Sequence, residues 1–135
     1  MKGNCQQCGV EHTWSRNSKG MYCSIKCQRS SEFDSQVKLW LEEGILPQHS
    51  RVPRKYLLTL NDSCWQCGIN EWLGQPITLE LEHSDGDATN NNIDNLKLLC
   101  PNCHSQTPTY KNKNKGNGRL ARRQRAIQDY HKARP

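Results

Sequence analysis

The sequence predicts a small protein of the α+β class that is stabilised by bound zinc as much as by an apolar core. The chain has 135 residues, of which 33% are hydrophobic and only one is Phe, so it lacks the side chains for a large core. Its eight cysteines fall into four close pairs, which is typical of metal ligands. Helical and strand-like patterns of apolar residues alternate with these pairs.

The four cysteine pairs repeat one plan twice. Cys5 and Cys64 each open a Cys-x-x-Cys-Gly turn, in which two thiolates can face one ion while Gly takes the positive φ that leaves the turn. The repeat favours two structural Zn²⁺ ions bound by sequential pairs, although an interleaved pairing also fits the spacing. A redox role fits poorly, because a thioredoxin-like site needs one such pair and a βαβ setting, and disulfides are rare in a reducing cytosol. The expected ligands are Cys5, Cys8, Cys23 and Cys27, then Cys64, Cys67, Cys100 and Cys103.

Composition divides the chain into four predicted regions. A four-cysteine finger is expected over 1–30 and a helical connector over 31–61. The second four-cysteine unit follows over 62–110, and a basic tail over 111–135.

Two helices are expected in the connector. Ser31 is the expected N-cap of the first helix, and Gly44 is its stop. Trp40 recurs at helical spacing with other apolar residues and is expected in the core. A second helix is expected from Pro53, which suits the first helical position, to about Leu60. Basic side chains near its start, among them Arg54, face either phosphate or solvent.

The third region predicts a strand–loop–strand–helix unit. The stretch Ile77–Glu82 alternates apolar and polar residues, as a half-buried strand does. A polar loop over 84–92 and a second strand over Leu96–Leu99 follow. A helix is expected to open at Cys100, with Pro101 in its first turn.

Four polar side chains of this unit form a candidate hydrolytic site. Phosphodiester hydrolysis requires a base that activates water and a cation that neutralises the phosphorane. A histidine at a strand end can supply the base, and a carboxylate with a second histidine can hold a divalent ion. An asparagine can fix the loop between them. The candidates are Glu82, His83, Asn95 and His104.

These residues lie in a pattern that resembles the HNH endonuclease family, in particular its small phage-type members with a four-cysteine zinc. The resemblance covers 64–110 and rests on the combination of a strand-end His, Asn-Leu before the closing cysteines, and Cys-x-x-Cys-His. The matching segments are Leu79-Glu-Leu-Glu-His83-Ser-Asp-Gly86, Asn90-Asn91 and Asp94-Asn95-Leu-Lys-Leu-Leu-Cys100-Pro-Asn-Cys103-His104-Ser-Gln-Thr107.

The resemblance implies a metal-dependent DNA endonuclease with a ββα-metal (His-Me finger) fold. It implies that His83 is the general base, that His104 and Glu82 hold a catalytic Mg²⁺ or Mn²⁺, and that Asn95 braces the loop and orients His83. Glu82 departs from the usual Asp or His, and Ser84 from a usually apolar residue. Strict strand alternation also directs Glu82 and His83 to opposite faces. The implied setting is a phage-encoded, homing nuclease in the host cytoplasm.

The N-terminal cysteines resemble a treble-clef zinc finger, through Cys5-Gln-Gln-Cys8 and Gly20-Met-Tyr-Cys23. Such a module either contacts DNA or serves as a structural cap on the helices, and the sequence leaves both alternatives open.

The excess positive charge lies in the tail. From 110 to 135 there are nine Lys and Arg residues and one acid, Asp129, a net charge of +8. Such a segment attracts polyanions, although a solubilising tail is the alternative. The expected nucleic-acid contacts are Lys111, Lys113, Lys115, Arg119, Arg122, Arg123 and Arg125.

Two other classes of function remain open from the sequence. One is a catalytically degenerate, zinc-dependent nucleic-acid-binding protein, with Glu82 and Ser84 as marks of decay. The other is a zinc-stabilised interaction module. No run reaches the roughly 18–20 apolar residues of a membrane span, and the first residues lack an apolar signal region. We therefore expect a cytoplasmic protein that is not secreted and has no membrane partner; the oligomeric state is left open.

Overall fold

The protein folds as two compact units, Met1–Val52 and Pro53–Pro135. The structure, a computed structural model, describes residues 1–14, 20–46, 50–114, 116 and 119–132. Helices and short antiparallel strand pairs make up this part of the chain, so the predicted α+β class is confirmed. In chain order the elements are β1 (Lys2–Asn4), β2 (Glu11–Thr13), α1 (Ile25–Glu43), α2 (Val52–Leu60), β3 (Glu71–Trp72), β4 (Gln75–Pro76), β5 (Glu80–His83), a 3₁₀ turn (Ile93–Asn95), β6 (Leu96–Leu99), α3 (Pro101–Gln106), a second 3₁₀ turn (Lys111–Asn114) and α4 (Arg119–Lys132).

Helix α1 of the first unit begins earlier than the sequence predicted. Its N-cap is Ser24, whose hydroxyl accepts a hydrogen bond from the Cys27 N–H at 3.2 Å. The prediction of Ser31 as N-cap is wrong, since this residue lies within the helix and its hydroxyl contacts a tyrosine hydroxyl at 3.0 Å. The predicted stop is confirmed: Gly44 has a φ of 68° and donates to the Trp40 carbonyl at 3.0 Å.

The core of the second unit lies where the zinc-type cysteines meet the strands. Leu79, Leu98 and Leu99 are buried together with two cysteines, and Leu57 of α2 packs against them. Arg54 of the same helix donates through Nε to the Leu79 carbonyl at 2.9 Å. Its guanidinium therefore ties α2 to the core, a role that neither sequence alternative for this side chain included.

The strand–loop–strand–helix unit is present with a shifted first strand. β5 pairs antiparallel with β6, with His83 opposite Leu96 and Glu82 opposite Lys97. The predicted strand began at Ile77, but the chain just before it forms the small β3–β4 hairpin, in which Glu71 pairs with Pro76. Regular pairing with β6 consequently starts only at Glu80. The second strand and the helix that follows it lie where the sequence predicted them.

The basic tail contains a helix. After a 3₁₀ turn, α4 runs over Arg119–Lys132 with Leu120, Ile127 and Tyr130 exposed. Among the residues that the structure describes, no helix combines the length and apolarity needed to span a bilayer.

Candidate metal centres and active site

The first four cysteines converge at one point in the N-terminal unit. The sulfur atoms of Cys5, Cys8, Cys23 and Cys27 all lie within 4.8 Å of one another. The Cys8 and Cys23 sulfurs are 3.6 Å apart, and the Cys23 and Cys27 sulfurs 3.5 Å. A tetrahedral zinc with Zn–S bonds of about 2.3 Å requires sulfur separations of about 3.8 Å. The cluster therefore fits a structural zinc site.

The last four cysteines form a second cluster of the same kind. The sulfurs of Cys64, Cys67, Cys100 and Cys103 also lie within 4.8 Å of one another, and the Cys67–Cys100 separation is 3.8 Å. The pairs are thus grouped sequentially, and the interleaved alternative is excluded.

The first cysteine of each turn lies in a setting that favours a thiolate. Burial raises the pKa of Cys5, but hydrogen bonds from backbone groups of both cysteine pairs outweigh this effect and lower the pKa to about 6. The pKa of Cys64 is lowered to about 6 by the same balance of burial and backbone hydrogen bonds. Thiolates are the form in which cysteine binds zinc.

Two other cysteines, one in each cluster, have a raised pKa. Contacts with the side chains of Cys27 and Cys8, together with burial, raise the pKa of Cys23 to about 12. Burial and contacts with neighbouring cysteines raise the pKa of Cys103 to about 12. Crowded thiols resist losing all their protons unless a cation offsets the accumulated negative charge. Both donor sets therefore suit a dication.

Strand β5 and helix α3 bring Glu82 and His104 together. Glu82 is buried, and its Oε2 lies 2.8 Å from Nε2 of His104. The other carboxylate oxygen accepts a hydrogen bond from the Thr109 hydroxyl. The first residue of β5, Glu80, lies two positions before Glu82, and its carboxylate contacts Nδ1 of the same imidazole. A strand places residues two positions apart on one face, so both carboxylates meet the helix.

His83 has a different partner from Glu82. Its Nε2 lies 2.9 Å from Oδ1 of Asn91 in the loop that joins β5 to β6. The structure therefore brings two of the candidate residues, Glu82 and His104, into contact, and pairs the candidate base with a loop asparagine.

Asn95 connects both ends of that loop. Its Oδ1 accepts from the Asp85 N–H at 3.0 Å, and its Nδ2 donates to the Asn90 carbonyl at 2.8 Å and to Asp85 Oδ1 at 2.9 Å. Hydrogen bonds from Asn90 and from Asn95 also hold the pKa of Asp85 below its usual value. These contacts close the loop that carries Asn91.

The sequence assigned no role to Glu80, Asn91 or Thr109, although Asn91 lies in one of the segments that carry the family resemblance. Glu80 had a usable signal, because it occupies the same face of the predicted strand as Glu82. Thr109 had none: it follows α3 and Pro108, and its approach to Glu82 depends on how the chain turns back after the helix.

The basic residues of the tail have contacts of several kinds. Lys113 donates to the Ser105 carbonyl at 3.0 Å, and the Lys111 ammonium lies 4.9 Å from the centre of the Tyr110 ring. Arg123 and Arg125 are exposed, and the second of them donates to a glycine carbonyl at 2.8 Å. Outside the described part of the chain lie Lys115 and the side chains of Arg119 and Arg122.

The fold and the two clusters define a zinc-type α+β protein with a carboxylate–histidine site on a strand and a helix. A comparison with known proteins adds a particular relative, the "H-N-H endonuclease F-TflIV" of Escherichia phage T5, which is 60% identical over 53 residues. The aligned stretch covers 39% of this chain and 23% of the relative. It confirms the resemblance to HNH endonucleases. No family model matches the chain, and no solved structure does.

Proposed function

We propose that this protein is a metal-dependent HNH endonuclease that hydrolyses phosphodiester bonds in DNA, with two structural Zn²⁺ ions and a catalytic Mg²⁺ or Mn²⁺. The observation that carries the proposal is the pair of Glu82 Oε2 and His104 Nε2, 2.8 Å apart between strand and helix. Two neighbouring ligands of an octahedral ion, each about 2.1 Å from it, are about 3.0 Å apart. The pair therefore suits the catalytic ion, and the phage relative supports the class of reaction.

His83 is the proposed general base. Its contact with Asn91 at 2.9 Å holds the ring by Nε2, so the proposed base atom is the other ring nitrogen, Nδ1. That nitrogen takes a proton from water as the water oxygen attacks phosphorus. The bond from phosphorus to the 3′ oxygen then breaks and that oxygen takes a proton from solvent, which leaves a 5′-phosphate and a 3′-hydroxyl. A divalent ion, when bound by Glu82 and His104, neutralises the charge that develops on the phosphate oxygens.

Asn95 is proposed to act indirectly, by holding the loop that positions the base. It ties Asp85, which follows the base by two residues, to the far side of the loop at Asn90. This closure keeps Asn91, and through it His83, in place.

The proposed substrate is DNA in the host cytoplasm, and a homing role follows from the family resemblance alone. The basic tail would contact phosphates, which provide affinity without reading sequence.

The first experiment is conversion of supercoiled plasmid to nicked and linear forms by the zinc-loaded protein with Mg²⁺ or Mn²⁺. Cleavage is expected to require the ion, to stop with EDTA, and to fall to background in His83→Ala. His131→Ala, which changes a histidine of α4, is the matched control and should cut like the native chain. Cleavage that persists in His83→Ala would reject this base. Tight DNA binding without cleavage by the native chain would favour the degenerate binding protein.

A second experiment tests the tail. Replacing Arg119, Arg122, Arg123 and Arg125 by Gln should weaken DNA binding and reduce the slope of log K against log salt by up to about 3–4, since each phosphate contact contributes about 0.9. Lys26→Gln on α1 is a single-charge control. A salt slope equal to that of the native chain would show that these four arginines do not bind phosphate.

A further inference from the structure

Glu80 and Glu82 occupy the two sides of one imidazole. Glu82 Oε2 lies 2.8 Å from Nε2 of His104, and the Glu80 carboxylate contacts Nδ1. The nitrogens of an imidazole point away from each other, so one ion cannot bind both. The two carboxylates must therefore act differently on the same ring.

The two carboxylates also differ in how far they are exposed to solvent. The Glu82 side chain is 9% exposed, and a threonine hydroxyl donates to its second oxygen. The Glu80 side chain is 44% exposed, while the imidazole that it contacts is 19% exposed. Glu82 thus faces the inner side of the ring, and Glu80 holds the outer side.

We propose that Glu80 is a positioning residue: it accepts the Nδ1–H of His104 and so directs the Nε2 lone pair of this residue toward the Glu82 side. The inference rests on the proposed function, because it gives that lone pair to the catalytic ion. A neutral imidazole carries its proton on one nitrogen and its lone pair on the other. A carboxylate at the first nitrogen therefore fixes the tautomer and makes the second a better ligand.

The orientation of the ring is restrained by a second contact. The Tyr110 ring meets the His104 ring edge to face, with centroids 5.1 Å apart and an interplanar angle of 78°. This contact limits rotation of the imidazole but leaves the choice of tautomer open. A hydrogen-bond acceptor is needed for that choice, and Glu80 supplies it.

The test compares Glu80→Ala, Glu80→Gln and a control, Glu71→Ala, which removes an exposed carboxylate from β3. Binding of Mn²⁺ to the full-length, zinc-loaded protein is followed by electron paramagnetic resonance, and the Mn²⁺ dependence of plasmid nicking is measured in parallel. Loss of the acceptor in Glu80→Ala should weaken Mn²⁺ binding about 10–100-fold, as loss of such partners typically does. Cleavage at saturating Mn²⁺ should fall much less. Gln keeps an acceptor oxygen, so Glu80→Gln should recover most of the affinity.

A second readout does not depend on nuclease activity. The hydrogen-bonded Nδ1–H proton of His104 should appear in the NMR spectrum of histidine-labelled native protein and of Glu80→Gln, and should be lost in Glu80→Ala. Retention of that signal in Glu80→Ala, or an unchanged Mn²⁺ affinity, would overturn the role of Glu80. If the native chain binds Mn²⁺ but does not cut DNA, the proposed function fails, while the affinity and the NMR signal still decide the role of Glu80.

Discussion

The two zinc-type units share a metal-binding frame and differ in what lies beside it. In both, a Cys-x-x-Cys-Gly turn supplies the first two sulfurs, and a helix begins at the closing pair. The residue after the last cysteine is Gln28 in the first unit and His104 in the second. Gln28 donates to Glu32 of its own helix at 2.9 Å, whereas His104 meets two carboxylates of a neighbouring strand.

The inserted chain accounts for this difference. Fourteen residues separate the two cysteine pairs of the first cluster, and 32 separate those of the second. The longer insertion has room for β5, the loop and β6, which bring carboxylates to the start of α3. The comparison teaches that the two units share a cysteine frame, while the chain between the cysteine pairs determines which side chains lie beside it.

The largest effect on cleavage is expected from removing a cysteine of the second cluster, and the same change in the first cluster should have little effect. Cys64→Ser and Cys5→Ser each remove a buried ligand and should each lower the zinc content from two ions to one per chain. Structural zinc contributes on the order of 10 kcal/mol to the folding of such modules. Cys64→Ser should therefore abolish cleavage, while Cys5→Ser should keep most of it. Zinc is measured by plasma mass spectrometry, and cleavage by plasmid nicking. Equal loss of cleavage in both variants would contradict the separation of frame and chemistry.

The next effect tests the side chains beside the frame. Glu82→Ala removes a proposed ligand of the catalytic ion and should lower cleavage at least about 100-fold, because charge neutralisation by the ion contributes several kcal/mol to the transition state. Glu32→Ala is the matched control, since it removes the carboxylate that contacts the residue after the last cysteine in the other unit. Zinc content should stay at two ions in both variants. A similar loss of cleavage in the two variants would contradict the proposal that Glu82 binds the catalytic ion.

Much of the fold was predictable from local patterns. The Cys-x-x-Cys-Gly turns, the stop at Gly44 and the start of α3 depend on residues that are neighbours in sequence. The start of α1 was missed because Ser24 and Ser31 are equally good N-caps by residue type. The structure selects Ser24, which directly follows a ligand of the first cluster. Residue type therefore does not decide between the two serines, and in the structure the helix begins beside the cysteine cluster.

The candidate site was predictable only where strand alternation defines it. Alternation directs Glu82 and His83 to opposite faces, and they do contact different partners, His104 and Asn91. The same alternation places Glu80 on the face of Glu82, although its contact with His104 was not predicted. Thr109 and Glu82 are 27 positions apart in the sequence. A contact over that separation cannot be predicted from the periodicity of a single strand or helix.

A smaller effect is expected in the loop that joins β5 to β6 in the second unit. Asn95→Ala removes three hydrogen bonds to Asp85 and Asn90, which should lower the free energy of unfolding by about 1–2 kcal/mol. Cleavage should fall further than stability alone explains, since the loop also holds Asn91 against His83. Urea unfolding and plasmid nicking are compared with those of Asn70→Ala, an exposed control in the same unit. Full activity in a destabilised Asn95→Ala would limit this residue to a structural role.

The smallest effect tests whether the two frames are equivalent. Gly9 and Gly68 have φ angles of 74° and 75°, and a Cβ at either position meets no atom of the other described residues within 4 Å. Substitution by Ala therefore adds backbone strain of about 1–2 kcal/mol without a clash. Each variant should bind zinc at its own cluster about 5–30-fold more weakly in competition with a chelator, and Asn at either position should cost less, since Asn tolerates this conformation. A large difference between the two glycines would show that the insertion in the second unit also stabilises its metal site, and that frame and chemistry are coupled there.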